Sequence, residues 1–450
     1  MAKADSPEAK FLEKLFHNLN DCGLNYAVMR NYELLPNSAD GSDLDLLIDP
    51  KQERLIMDCI AGSIRSADGI AIGHVNTVGL TKIFAFGQPD NKDDQWWGLR
   101  LDICKGVVYR GSHNLIEDTV YSEHVKDHHG IKVLSSDLAA VLGVMKEVLH
   151  NGVIGDRYII GASDAATERW HSISTVLSPI GENGLNRLHK ICVSRLNGTS
   201  LDSEAKQIRC GIECRSLLAS PVSYATKKIQ YYGSKLLRIL HPPGKMIVLL
   251  GTDGAGKSTV IEAIKPALMD ATHKALLVKH LRPRLFPPLG RIKHKARDEG
   301  EVVTDPHGSA PSGYFLSLVR LVYYFLDYTI GYWLLVRPAL SKSPAIVLFD
   351  RYAYDILLDP KRLRINLPQW VLRIFVSMVP KPDLTICLYG DPEVLASRKN
   401  ELPVSEVERQ VNALVSFSEH GKNRILINTV STIVETRNHI LNSIKDACEQ

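Results

Sequence analysis

The stretch MIVLLGTDGAGKSTVIEAIKPAL, residues 246–268, decides the fold of the C-terminal half of the chain. Met246 to Leu250 is a continuous apolar run, the pattern of a strand buried on both faces of a parallel sheet. Gly251-Thr252-Asp253-Gly254-Ala255-Gly256-Lys257-Ser258 follows and satisfies the spacing G-x4-G-K-[ST]. STVIEAIKPAL then reads as a helix. Each residue type has a physical reason. The glycines let the backbone curl until its N–H groups point inward at phosphate oxygens. The helix N-terminus adds about half a positive charge. Lys257 can reach β and γ phosphates, and the Ser258 hydroxyl can ligate Mg²⁺. Gly251, Thr252, Asp253, Gly254, Ala255, Gly256, Lys257, Ser258 and Thr259 are therefore the expected nucleotide-binding residues, with Mg²⁺ at the phosphates; the loop alone does not separate a kinase from a motor or a GTPase. A chance glycine turn could share the letters but would lack the strand before and the helix after.

Working outward, 450 residues suggest two or three domains. Hydrophobic residues at 45% and charged residues at 23% exclude a disordered or collagen-like chain. A net charge of +4, from 54 basic and 50 acidic residues, is too small a surplus to announce a nucleic-acid binder. Among the eight cysteines only Cys210 and Cys214 are close, and no second pair completes a zinc set. With no signal peptide read at the N-terminus, a reducing cytoplasm is expected. Residues 314–336, YFLSLVRLVYYFLDYTIGYWLLV, are long enough to span a bilayer. Arg320 and Asp327 lie inside that stretch, and a charge at mid-membrane costs about 2.5–3.5 kcal/mol. A buried helix of a soluble domain is expected there instead. The best domain boundary is Pro242-Pro243-Gly244, which follows a mostly helical region over 157–240.

Two further segments bear on the C-terminal chemistry. IVLFD, residues 346–350, reads as a second buried strand closed by Asp350, with Arg351 next. Both would face the crevice at the carboxyl end of the sheet. A carboxylate there can hold the Mg²⁺ shell or act on an acceptor; a surface ion pair is the plainer alternative. LTICLYGDPEVLASRKNEL, residues 384–402, reads as a third strand, a turn at Asp391-Pro392 and a helix carrying Arg398 and Lys399. Cations on such a helix would stabilise charge near a γ-phosphate, unless they simply form a solvated basic face.

GTDGAGKST, FDRYAYD and PDLTICLYGDPEVLASRK together resemble the thymidylate kinase family of P-loop nucleoside monophosphate kinases, over residues 246 to about 440. The resemblance implies that Lys257 and Ser258 bind ATP and Mg²⁺. It also implies that Asp350 and Arg351 are the Asp-Arg pair near the acceptor phosphate and that Arg398 is a lid arginine. Lys257, Asp350, Arg351 and Arg398 are thus the expected catalytic residues. The family's Arg-Glu-Pro-Gly segment is replaced by His280-Leu281-Arg282-Pro283-Arg284-Leu285-Phe286-Pro287-Pro288. Lys274 to Arg297 contains eight Lys or Arg and no Asp or Glu. A one-sign run of that length suggests an anionic acceptor bulkier or more charged than a nucleoside monophosphate, although a solvated basic loop would look the same. The insertion Thr304–Gly313, Tyr352-Ala353-Tyr354-Asp355 and Asp359-Pro360-Lys361-Arg362 are not explained by thymidylate.

In the N-terminal part, Gly41-Ser42-Asp43-Leu44-Asp45-Leu46-Leu47 places two carboxylates two residues apart. In a strand, Asp43 and Asp45 then face one side. Asp102, in LRLDICKG, can supply a third carboxylate. Such a trio suits a pair of Mg²⁺ ions in nucleotidyl transfer. The set resembles the nucleotidyltransferase fold of the DNA polymerase β superfamily over residues 20 to about 150, which implies metal-binding roles for Asp43, Asp45 and Asp102. That superfamily has a Gly-Ser or Gly-Gly pair about ten residues before Asp-x-Asp; here the place holds Arg30-Asn31. Arg30 could put a guanidinium on the phosphates, or the site could be altered in activity.

The reading as a whole is α/β. It comprises an N-terminal α+β nucleotidyltransferase-like domain (1–150), a helical connector (151–243) and a C-terminal P-loop parallel-sheet kinase domain (244–450). The expected activity is phosphotransfer from MgATP to a phosphorylated or anionic small molecule. A sugar or glycan intermediate of surface polysaccharide synthesis is an alternative acceptor. A nucleotide-responsive regulatory or defence protein, AMP transfer to a protein by the N-terminal domain, and assembly as a homodimer stay open.

Overall fold

The structure is a computed structural model that describes residues 6–89, 95–150, 154–196, 198–287, 313–360, 362–398 and 402–449. The chain divides into two compact units, Met1–Gly87 with Trp97–Leu237, and Gln88–Trp96 with Arg238–Gln450. Most of the basic run beyond Pro287, nearly all of the Thr304–Gly313 insertion, Lys361 and Lys399 lie outside the described residues.

The first unit is built on a seven-stranded mixed sheet. Its strands are β1 (Tyr26–Val28), β2 (Leu44–Ile48), β3 (Gly69–Thr77), β4 (Leu80–Gly87), β5 (Trp97–Lys105), β6 (Val125–His128) and β7 (Ile131–Leu134). They run in the order β3-β4-β5-β2-β1-β7-β6. β2 lies antiparallel to β1 and parallel to β5. Every residue of β2 is buried because its two faces serve two cores. Leu46 packs with Phe11, Leu15 and Ile60 from the helices Pro7–Asp21 and Glu53–Ser66. Leu47 points the other way, among Leu138, Val141 and Met145 of the helix Ser136–His150. The helices between Asp156 and Ala219 join that second core through Ile173, Ile191 and Ile212. Pleating fixes which side each residue takes, so Asp43 and Asp45 share the side of Leu47. Trp97 is buried and stacks on Phe11 at a centroid distance of 4.8 Å.

The second unit holds a five-stranded, wholly parallel sheet. Its strands are β8 (Lys245–Gly251), β9 (Leu276–His280), β10 (Ile346–Asp350), β11 (Leu384–Tyr389) and β12 (Arg424–Asn428). The order is β12-β11-β8-β10-β9. β8 is central: the chain goes from it to one edge, returns through β10, and then builds outward on the other side. Such a reversal leaves a crevice at the carboxyl ends of the strands. Met246, Val248 and Leu250 pack with Leu321, Tyr328, Phe375 and Leu414 on one face. The helices Lys257–Ala271 and Ile433–Glu449 pack on each other and on the strands.

The stretch 314–336 differs from its expectation of full burial. It forms the helix Tyr314–Gly331 and a π-helical continuation Tyr332–Val336. Leu321 and Tyr328 are buried, whereas Phe315, Leu316, Val319 and Trp333 are exposed. A helix laid on a sheet meets it along one stripe only, so apolar residues all round it cannot all be covered. Asp327 is fully buried and explains the charge in this helix. It accepts from Arg282 at 2.8 Å and from the Leu285 N–H at 2.7 Å. Among the described residues no helix is long and apolar enough to cross a membrane.

Candidate functional site

β8 runs into the glycine loop and the loop runs into the helix Lys257–Ala271. Gly254 has φ 85° and Gly256 φ 75°, both in the left-handed region that favours glycine. A Cβ on Gly254 would lie 2.4 Å from the Leu395 carbonyl oxygen, so that position excludes any side chain. Gly256 caps the helix, whose first N–H groups are left without intrahelical partners. Lys257 curls back over the loop and donates from Nζ to the carbonyls of Gly251 at 2.9 Å and Thr252 at 2.8 Å. Burial, seconded by the Arg351 guanidinium, lowers its ammonium to about 7. Ser258 and Thr259 are exposed in the first turn, while Thr252 and Ala255 are buried.

A cleft of about 620 Å³ opens over this loop, lined also by Asp350, Arg351, Arg362 and Arg398. The expected catalytic set, Lys257, Asp350, Arg351 and Arg398, therefore borders one volume. Arg351 makes a different ion pair from the surface one weighed for it. It is 6% exposed, and its guanidinium bridges Asp355 at 2.8 Å and Asp253 at 2.7 Å. Arg362 reaches the second oxygen of Asp253 at 2.6 Å. Burial alone would raise the Asp253 carboxyl; the Arg351 and Arg362 guanidiniums outweigh it and hold the group at about 2. Asp253 is thus the carboxylate that ties the loop to the residues following β10.

Asp350 pairs elsewhere. β9 and β10 are in register with Asp350 beside His280, and His280 Nδ1 lies 3.2 Å from Asp350 Oδ2. Against the pull of burial, this hydrogen bond and the nearby Lys257 lower the Asp350 carboxyl. Asp350 Oδ1 and Thr252 Oγ1 are buried with no hydrogen-bond partner among the described residues. Both lie at the glycine loop and the end of β10, and such orphaned polar atoms fit a polar ligand there. Asp355, Arg362 and His280 were quoted in the sequence without a role. Arg362 lies 109 residues from the aspartate it clamps, and no local spacing carries that signal.

The first unit gathers Asp43, Asp45 and Asp102 as their strand positions require. Asp45 and Asp102 are direct partners across the parallel pair β2–β5. One carboxylate oxygen from each of the three lies within 4.8 Å of the others. Asp45 and Asp102 are buried rather than exposed at strand ends. Side-chain cations face them. Arg30 bonds Asp45 through Nε and approaches Asp43 at 3.5 Å. Arg100 bonds Asp43, and Asp102 at 2.9 Å. Lys82 reaches Asp102 at 3.4 Å. Burial raises the Asp45 carboxyl, and Arg30 offsets part of that rise. The donor set suits a divalent cation, but the charge around it does not call for one. An ion entering there must displace guanidinium groups, so no catalytic step is drawn through it. Arg30, read as a donor to phosphates, is engaged by these carboxylates and by Tyr158, whose hydroxyl accepts at 2.9 Å.

No family model matches the chain. A probable thymidylate kinase of Methanocorpusculum labreanum is 28% identical over 172 residues, covering 36% of this chain and 73% of that protein. Among solved structures, a thymidylate kinase from Ehrlichia chaffeensis aligns with a TM-score of 0.30 and 16% identity, covering 44% of this chain and 98% of its own. Thymidylate kinase from Candida albicans aligns with a TM-score of 0.32 and 16% identity, covering 45% and 92%. The chain is similar to thymidylate kinases over part of its length.

Proposed function

We propose that the C-terminal unit is an ATP- and Mg²⁺-dependent phosphotransferase acting on an anionic small molecule or a glycan intermediate. One observation carries this reading: the glycine loop and Lys257 stand at the end of the central strand of a parallel sheet, over a cleft lined by Arg351, Arg362 and Arg398. The similarity to a probable thymidylate kinase supports it. Bound MgATP would supply the γ-phosphoryl group and the metal's charge. The loop N–H groups from Gly254 to Thr259 would hold the phosphates, with Ser258 at the metal. Lys257 would swing from the Gly251 and Thr252 carbonyls to the β and γ phosphates, and Arg398 would meet charge that develops during transfer. Arg351 keeps Asp253 and Asp355 in place around the loop. The residues 1–150 are proposed to form a nucleotidyltransferase-like domain, on the strength of the aspartate trio gathered by β2, the residue before it, and β5. Calorimetry with MgATP tests the main reading: saturable heat in the wild type, lost in Lys257→Ala, is expected. Absence of heat from folded wild-type protein removes the kinase assignment.

A further inference from the structure

The carboxyl ends of β9 and β10 carry a second device beside the nucleotide loop. His280 and Asp350 are register partners and the last residues of their strands. Both strands then break in the same way, with Leu281 at φ 61° and Arg351 at φ 68°. Non-glycine residues adopt that region at a cost, and such strain concentrates at functional sites. The Leu281 N–H bonds the Asp350 carbonyl at 2.9 Å, and the Arg282 N–H bonds the His280 carbonyl at 2.7 Å, a tight γ-turn that fixes the imidazole's base. His280 Nδ1 faces Asp350 Oδ2 at 3.2 Å, and the tautomer with its proton on Nδ1 leaves Nε2 as the ring's acceptor. The imidazole borders the loop cleft and also an adjoining space of about 430 Å³ that Ser258, Glu262 and Arg284 help to line.

These placements bear on which acceptor group reacts, a question that rests on the phosphotransferase reading above. A phosphate monoester is already anionic at neutral pH, with its second ionisation near about 6. It needs cations and no base. The cation that the family resemblance assigns to an acceptor phosphate, Arg351, is held between Asp253 and Asp355. A hydroxyl, by contrast, keeps its proton at neutral pH and gains from a base within hydrogen-bond reach. We infer that the acceptor presents a hydroxyl group and that His280, oriented by Asp350, takes its proton. The acceptor oxygen forms its bond to the γ-phosphorus while the bond from that phosphorus to the bridging oxygen breaks. ADP leaves with that electron pair. The hydroxyl proton passes to His280 Nε2, and the imidazolium is held against Asp350 until solvent removes the proton. The product is a phosphomonoester, not a phosphoanhydride. His280 is then a catalytic residue and Asp350 a positioning residue.

The test uses the full chain with [γ-³²P]ATP and two sets of acceptors. dTMP and UMP present a phosphate besides their sugar hydroxyls, and the position of the label tells the two apart; thymidine, glucose, N-acetylglucosamine, glycerol and water present hydroxyls alone. His280→Gln is the variant, because glutamine keeps a hydrogen-bond donor for Asp350 and the side chain is half exposed. The expected result is label in an acid-stable phosphomonoester, or in inorganic phosphate from water. In His280→Gln that transfer falls by about 10²-fold or more while the MgATP dissociation constant stays within about threefold. Label in dTDP or UDP at equal rates in both proteins overturns the hydroxyl assignment and leaves the kinase reading standing. MgATP binding without transfer to any acceptor, water included, also overturns it. Failure to bind MgATP at all removes both readings together.

Discussion

Asp253 in the second unit and the Asp43–Asp45–Asp102 trio in the first are both carboxylates clamped by arginines. In the second unit the clamp stands in the wall of an open cleft. Arg351 and Arg362 hold Asp253, and Lys257, Ser258 and Arg398 line the same volume beside them. In the first unit the clamp closes on the carboxylates themselves, and Arg30, Arg100 and Lys82 answer the three acids within the cluster. Both sets have charge, burial and convergent strands. They differ in the volume they border: Arg30, Asp45 and Asp102 line a space of about 180 Å³, and Asp253, Arg351 and Arg362 a cleft of about 620 Å³.

Four measurements would break or sharpen the comparison. The largest effect is expected for Lys257→Ala. Turnover of ATP should fall about 10³-fold, while the urea midpoint moves little, because burial already works against this ammonium and lowers it to about 7. A loss of stability as large as the loss of rate would make Lys257 structural. Arg30→Ala should do the reverse. It leaves Asp45 buried beside Asp43 with less compensation, a change that costs about 3 kcal/mol, read as a shifted denaturation midpoint with MgATP binding unchanged. Unaltered stability would mean that Arg30 is not a structural counter-ion.

Gly254→Ala is expected to cost about 2 kcal/mol and most of the MgATP affinity, since φ 85° and the Leu395 carbonyl both resist a Cβ. Crystallography of the variant would show whether the loop or the Leu395 turn yields. The smallest effect concerns pH. Asp253 titrates at about 2 in the folded chain against an ordinary 3.8. Its contribution is fully present above about pH 4 and is lost as pH falls toward 2, because the unfolded chain binds the proton first. The difference is worth about 2 kcal/mol. Urea midpoints measured at falling pH should drop more steeply in the wild type than in Asp253→Asn. Equal slopes would show that the arginine clamp does not hold the carboxyl down.

Much of the architecture was legible because its signals are local. The runs at 44–48, 246–250, 346–350 and 384–389 are apolar strands, and each is observed as one. Spacing two apart on β2 brings Asp43 and Asp45 to one side, and the parallel register adds Asp102. Other elements left no comparable trace. The hairpin of β3 and β4 has a bulge between Ala71 and Gly73 that breaks strict alternation. β9, an edge strand, is only half apolar, so its terminal His280 stood among basic residues without a place. Arg362 and Asp355 were visible as letters, but a carboxylate and a guanidinium name no partner until the chain folds.

The sequence by itself determined the glycine loop, its flanking strand and helix, and the residue types of both charge clusters. Those depend on spacing within about twenty residues and on the steric freedom of glycine. Only the tertiary structure decided which charge answers which. Arg351 turns to Asp253 and Asp355 instead of its neighbour Asp350, and Asp350 turns to His280 across a parallel pair of strands. The reason is that ion pairs and hydrogen bonds act over a few ångströms, and strand order and register set which distant residues come that close.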